Sequence, residues 1–191
     1  MSGAVLEKET LQGFYTGLMS VRRGYPVEDA LARMLSSLAF GEGNMPEWLG
    51  LDEREFSHLM HFHFPGYPYQ QFSGVGDPLD LSRLDESDDL RRLLLKSRSG
   101  VHDYEIWLAD ILVAGCLGND HLWQDLGLWS RVDLSRFIAD AFQPLALAND
   151  RDMKWKKFLY KQLCAAEGIY VCRSPSCEVC ADYGVCFGPE D

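Results

Sequence analysis

Four of the last twenty residues of this 191-residue chain are cysteines, Cys172, Cys177, Cys180 and Cys186, in the stretch "GIYVCRSPSCEVCADYGVCFGPED". Only Cys116 and Cys164 lie elsewhere. Thiolates gathered at C-x4-C-x2-C-x5-C spacing form a soft donor set of the kind that holds iron–sulfur clusters or structural zinc. Between Cys180 and Cys186 an extended chain spans about 20 Å, far more than one metal site needs, so the segment must fold back. Asp182 and Gly184 supply turn chemistry, and Pro175 and Gly188 bend the chain on either side. The first three cysteines have the spacing of plant-type ferredoxins, although the fourth arrives early for that class. Structural zinc usually pairs two short Cys bites, which this stretch meets loosely. The spacing leans to iron–sulfur and leaves zinc open.

The rest of the chain must supply a body to carry these thiols. Its composition, 47% hydrophobic and 12% aromatic, is that of a folded globular protein that can build a core without cross-links. The net charge of −11 argues against nucleic-acid or membrane-surface binding, both of which call for a cationic footprint. Glu7, Lys8 and Glu9 interrupt the start where a secretory leader needs apolar residues, and no apolar run reaches the ~18 residues of a membrane helix. A cytoplasmic, reducing setting is therefore expected. There, clustered cysteines point to metal rather than to disulfides.

Apolar residues recur at helical spacing along most of the chain. Leu11, Phe14, Tyr15, Leu18 and Met19 form a first stripe that stops at Gly24 and Pro26, and Val27, Leu31, Met34, Leu35 and Leu38 form a second. Asp52 and Glu55 have the spacing of a capping box before Phe56, Leu59 and Met60. Residues 65–82, rich in Pro and Gly, read as the longest loop. Further stripes run through Leu90, Leu93 and Leu94, then Tyr104, Trp107, Leu108, Ile111 and Leu112, then Leu134, Phe137, Ile138, Ala141 and Phe142, ending at Pro144. "GNDHLWQDLGLWSR" reads as a short glycine-bounded helical segment, and Asp150 as the cap of a last helix through Trp155, Phe158, Leu159 and Leu163 to Gly168. No strand alternation stands out. The expected fold is all-α: one helical domain, residues 1–168, carrying a cysteine-rich cluster-binding tail, residues 169–191.

The tail, with "MKWKKFLYKQLC" before it, "CLGNDHLWQDLGL", "HFPG" and the ending "CFGPE", resembles the NifQ family of nitrogen-fixation proteins that process molybdenum. The resemblance covers roughly residues 50–191, and the cysteine motif shows no departure from it. It implies a carrier holding a molybdenum–iron–sulfur cluster, a 3Fe-4S type converting to Mo-Fe3-S4, on Cys172, Cys177, Cys180 and Cys186. It implies molybdate or another molybdenum source as supplier. The implied receiver is the nitrogenase cofactor-assembly scaffold complex, helped by the nitrogenase iron protein. A cuboidal three-iron cluster leaves one corner for a further metal, and an incompletely protein-held corner eases release. The other readings of the same residues are an iron–sulfur electron carrier and a helical interaction protein with structural zinc.

Outside the four cysteines, His121 is the best candidate to approach a cluster, as a ligand or as a donor behind one. Its plainer reading is a histidine bonding within a tight segment. Cys164 could serve as a spare ligand, although a lone helical cysteine more often acts as a small hydrophobe, and so does Cys116. His58, His61 and His63 crowd "HLMHFH" and read as structural groups ahead of ligands. Arg151, Lys154, Lys156, Lys157 and Lys161 concentrate basic charge beside the cysteine motif, for attracting an anion or simply as a solvated helix face. No phosphate loop, nucleophile elbow or HExxH is present, and no enzymatic turnover is expected.

Overall fold

Capping chemistry sets where many of the helices begin. The structure, a computed structural model, describes residues 10–76, 84–166, 183–187 and 190. Helix α1 (Leu11–Ser20) opens at Thr10, whose hydroxyl accepts from Gly13 N at 3.0 Å. Helix α2 (Glu28–Ala39) places Glu28 and Asp29 in its first turn, where the helix dipole favours acids. Helix α3 (Glu53–His63) opens on the expected capping box, with Asp52 and Glu55 each bonding the other's backbone N–H.

Helix α4 spans Leu84–Lys96 and α5 Glu105–Cys116. The short α6 (Leu122–Asp125) lies in the glycine-bounded segment, and α7 (Arg131–Ala141) is capped by Ser130. Pro144 does more than end α7: it stands in the first turn of a helix the periodicity did not announce, α8 (Gln143–Ala148), because a fixed φ and a missing N–H suit that position. Helix α9 spans Trp155–Ala166 and α10 Tyr183–Cys186. Among the described residues there is no strand, so the all-α expectation holds for them.

One expected cap is corrected. Helix α9 begins at Trp155, not at Asp150. Asn149 closes the intervening turn instead: its side chain donates to Met153 O and accepts from Met153 N, both at 2.9 Å. An Asn side chain that mimics backbone in this way favours a turn over an early helix start.

The helices pack as neighbours along the chain, α1 on α2, α4 on α5, α7 on α8, with α9 returning to cover α4. Helix α5 is enclosed: Leu108, Ala109, Ile111, Leu112, Ala114 and Cys116 are all buried, on more than one face, as expected for a helix with neighbours all around. The described part of the long loop is not slack. Phe72 is fully buried, 5.8 Å from Phe14 and 5.4 Å from Phe56 between ring centres, and Gly74 N donates to Glu47 Oε1 at 2.6 Å. Residues 77–82 of that loop, like the boundary expected between 168 and 169, lie outside the described residues.

His63 and Glu28 form a buried pair between α2 and α3, each side chain 0% exposed, with Nδ1 3.2 Å from Glu28 Oε1. Glu28 Oε2 also accepts from Gly24 N at 2.6 Å and Tyr25 N at 2.9 Å, so the pair holds the α1–α2 turn. Donation from Nδ1 to Glu28 leaves Nε2 as a lone pair, and Nε2 is buried without a hydrogen-bond partner. Protonating it would bury a charged N–H with no acceptor. Burial accordingly pushes the His63 pKa below its ordinary value, against the upward pull of Glu28.

The unfolded chain, titrating near 6.5, takes up a proton that the folded chain resists. This contribution to stability is therefore complete above about pH 6.5 and falls away as the solution is acidified. Urea denaturation between pH 7.5 and 5.5 should show the midpoint falling, and His63→Gln should flatten that slope. An equally steep slope in the variant would show that His63 is not its source.

Candidate metal centre

The loop between α5 and α6 owes its shape to a buried carboxylate. Asp125 is 0% exposed and accepts from Asn44 Nδ2 at 2.6 Å, from Asp120 N at 3.2 Å and from the ammonium of Lys156. Lys156 also donates to Gly118 O at 2.7 Å. A Cβ at Gly118 would collide with the Asp125 carboxyl, so the close approach requires glycine there. At the other end of α6, Gly127 has φ +67 and stacks so closely on Gly43 that a Cβ on Gly43 would lie 2.9 Å from its Cα. The "CLGNDHLWQDLGL" segment is thus fastened by its charge and its glycines together.

His121 stands at the start of α6. Its N donates to Gln124 Oε1 at 3.2 Å and its carbonyl accepts from Asp125 N at 3.0 Å. The backbone is therefore fixed while the ring, its side chain 34% exposed, reaches outward to within 3.8 Å (Nδ1) of Glu190 Oε1. Glu190 is itself hidden, its side chain 3% exposed, and also faces Arg131 Nε at 3.5 Å. Arg131 spends its other nitrogens on the turn before α9, Nη1 to Asp152 Oδ2 at 2.6 Å and Nη2 to Asp152 O at 3.0 Å. Glu190 is in this way brought to the α5–α6 loop.

Of the four tail cysteines, Cys186 is the one described; Cys172, Cys177 and Cys180 lie outside the described residues. Cys186 is half-buried at the end of α10, and its carbonyl accepts from Lys154 N at 2.9 Å. Lys154 Nζ donates to Gly184 O at 3.2 Å, and the next residue, Phe187, is 4% exposed and belongs to the core. Two of the five basic residues expected to form a patch, Lys154 and Lys156, are thus engaged in holding chain segments together. Arg151, Lys157 and Lys161 are exposed. Arg151 and Lys161 line a small cavity of about 170 Å³ against Phe187.

The remaining candidates are dispersed. Cys164 is half-buried in α9 and Cys116 fully buried at the end of α5. His61 Nδ1 bonds Ser57 O at 2.7 Å, His63 is turned inward to Glu28, and His58 lies against the Trp107 ring. Among the described residues no three His, Cys, Asp or Glu side chains converge as a metal site. Sequence reasoning missed Asn44, Asp125, Arg131 and Glu190. Asp125 and Glu190 lie inside the motifs quoted above, but pairing each with its cation needed the fold.

The fold and these contacts define an all-α protein whose C-terminal end, carrying the last of four closely spaced cysteines, docks on the α5–α6 loop. Residues 30–188 match the NifQ family. The protein NifQ of Azotobacter vinelandii is 45% identical over 171 residues, covering 84% of this chain and 87% of its own length. The protein NifQ of Rhodobacter capsulatus is 38% identical over 163 residues, with 84% and 87% covered. That of Klebsiella pneumoniae is 32% identical over 179 residues, covering 85% of this chain and 99% of its own length. No solved structure matches the chain. The chain belongs to the NifQ family, and the match begins earlier than the tail motifs suggested, within α2.

If Lys156 is the counter-ion that makes the Asp125 site tolerable, Lys156→Ala leaves a carboxylate buried and unpaired and costs about 3 kcal/mol. Lys157→Ala, one residue on and exposed, stays within about 0.5 kcal/mol of wild type. Urea unfolding of the two variants side by side checks the difference.

Proposed function

We propose that this protein carries molybdenum for nitrogen fixation, holding a molybdenum–iron–sulfur cluster as cargo destined for the iron–molybdenum cofactor of nitrogenase. Membership of the NifQ family is the observation that carries the reading, because it joins the four-cysteine spacing to a nitrogen-fixation setting. Cys172, Cys177, Cys180 and Cys186 would hold the cargo. Four thiolates suit iron and sulfide-bridged metals, and the placement of Cys186, half-buried on an anchored turn, is compatible with a ligand that must also be given up.

Molybdate or a related molybdenum source supplies the metal in this reading. The scaffold complex of cofactor assembly, with the nitrogenase iron protein, receives it. The chain acts as a carrier and not as an enzyme. No helix among the described residues is long and apolar enough to cross a membrane, and the cytoplasm, where nitrogenase assembly would need the cargo, is the proposed location. His121 would stand near the molybdenum-bearing side, as a donor or as the group orienting one.

Anaerobic purification followed by visible absorption and elemental analysis separates the readings. A brown protein containing both iron and molybdenum supports the carrier. Iron without molybdenum favours an electron carrier, and zinc alone a structural site. Each single Cys→Ala change among the four should lose most of both metals. Full metal retention with any two cysteines replaced would rule out a shared site.

His121→Ala should keep its iron and its melting temperature and lose molybdenum retention or delivery. Loss of iron, molybdenum and thermal stability together would instead mark a structural histidine. Unchanged molybdenum in an iron-replete, stable variant would remove His121 from the site.

A further inference from the structure

The last described residue, Glu190, has a buried carboxylate that the proposed chemistry does not use. Its side chain is 3% exposed, and the groups facing it belong to the body: the Arg131 guanidinium, Nε at 3.5 Å, and the His121 ring at 3.8 Å. Arg131 is held independently of this contact, because Nη1 and Nη2 are committed to Asp152 and, at 3.3 Å, to Met153 O. Its Nε is buried with no hydrogen-bond partner, so Glu190 meets it as an ion pair rather than as a hydrogen bond. A guanidinium fixed in this way presents one face to an anion, and the protein's own carboxylate lies against that face.

Glu190 is four residues beyond Cys186, a reach of no more than about 14 Å. On the other side of Cys186, the α9 entrance grips the backbone: Lys154 N donates to Cys186 O at 2.9 Å and Lys154 Nζ to Gly184 O at 3.2 Å. Phe187, 4% exposed, fastens the chain between the two grips. Both grips end on one short stretch of body, since Arg131 holds Asp152 and Met153, immediately before Lys154.

We infer that Glu190 is a positioning residue: through Arg131 it is latched onto the body and so restrains Cys186, which lies within about 14 Å of it along the chain. The fourth thiolate would then be placed by the protein itself, and the ordering entropy of one ligand would be met in advance of any metal. The role assigned to Cys186 rests on the proposed carrier function, whereas the latch is a property of the metal-free chain and can be tested there.

The test uses the full-length, metal-free protein under reducing conditions. Alkylation of Cys186 and of Cys164 is followed residue by residue by peptide mass spectrometry, with the melting temperature measured on the same samples. Glu190→Gln and Glu190→Ala should raise the alkylation rate of Cys186 about tenfold, the size expected for losing one charge-assisted contact. Cys164 should keep its rate and the body its melting temperature, and Glu190→Asp should fall between wild type and Ala.

An unchanged Cys186 rate in Glu190→Ala overturns the inference. So does a rise at both cysteines together with a drop in melting temperature, which marks general loosening. After anaerobic reconstitution the Ala variant should also retain less metal than wild type, and full retention would overturn the positioning role. If wild type itself takes up no metal, the carrier reading fails while the alkylation result still decides the latch.

Discussion

A carboxylate with no access to water organises the functional end of this protein. Asp125 draws together Asn44 from the loop after α2, the backbone of Asp120 before α6 and the ammonium of Lys156 from α9. Three segments distant in sequence therefore meet on one charge. An ionised carboxylate in an apolar interior is tolerated only when it is paired and bonded in this way, and removing one partner leaves the full desolvation cost of the other. Because the Lys156 ammonium also bonds Gly118 O, the same ion pair shapes the loop that presents His121.

The chain has a second buried pair of different character. His63 and Glu28 tie the α1–α2 turn to α3, far in sequence from the cysteines, and their setting favours a neutral histidine over a charged one. "HFPG" thus has a structural explanation in its first residue: His63 is a strut, turned inward to Glu28. Of the histidines in "HLMHFH", the fold buries His63 as a strut and leaves His61 bonded to its own helix at Ser57. Among the described residues, the crowded histidines do not converge as a metal site.

Around the C-terminal end, basic residues that could have been solvated or anion-seeking prove to be connectors. Lys154 grips the backbone of Gly184 and Cys186, Lys156 neutralises Asp125, and Arg131 joins the turn before α9 to Glu190. In a chain of net charge −11, these cations are spent on named acids and carbonyls that join segments distant in sequence.

Local physics made much of this legible in the sequence. Period-3.6 stripes located α1, α2, α3, α5, α7 and α9, the capping box at Asp52 and Glu55 was readable from two residues, and the cysteine spacing with "CFGPE" pointed to the family. These signals depend on neighbours within a turn or two. The tertiary structure decided the rest, because it concerns which distant residues meet. Nothing local distinguishes Lys156, which pairs with a buried acid, from Lys157, which faces water. Nothing in "QPLALA" separated a loop after Pro144 from the helix α8 that packs on α7. Asp150 and Asn149 are both capable turn formers, and only the approach of Met153 chose Asn149. Glu190 reads as one more surface acid until the fold carries it to Arg131 and His121. Charge pairing across long sequence separations is set by three-dimensional proximity and burial, and a single sequence records neither.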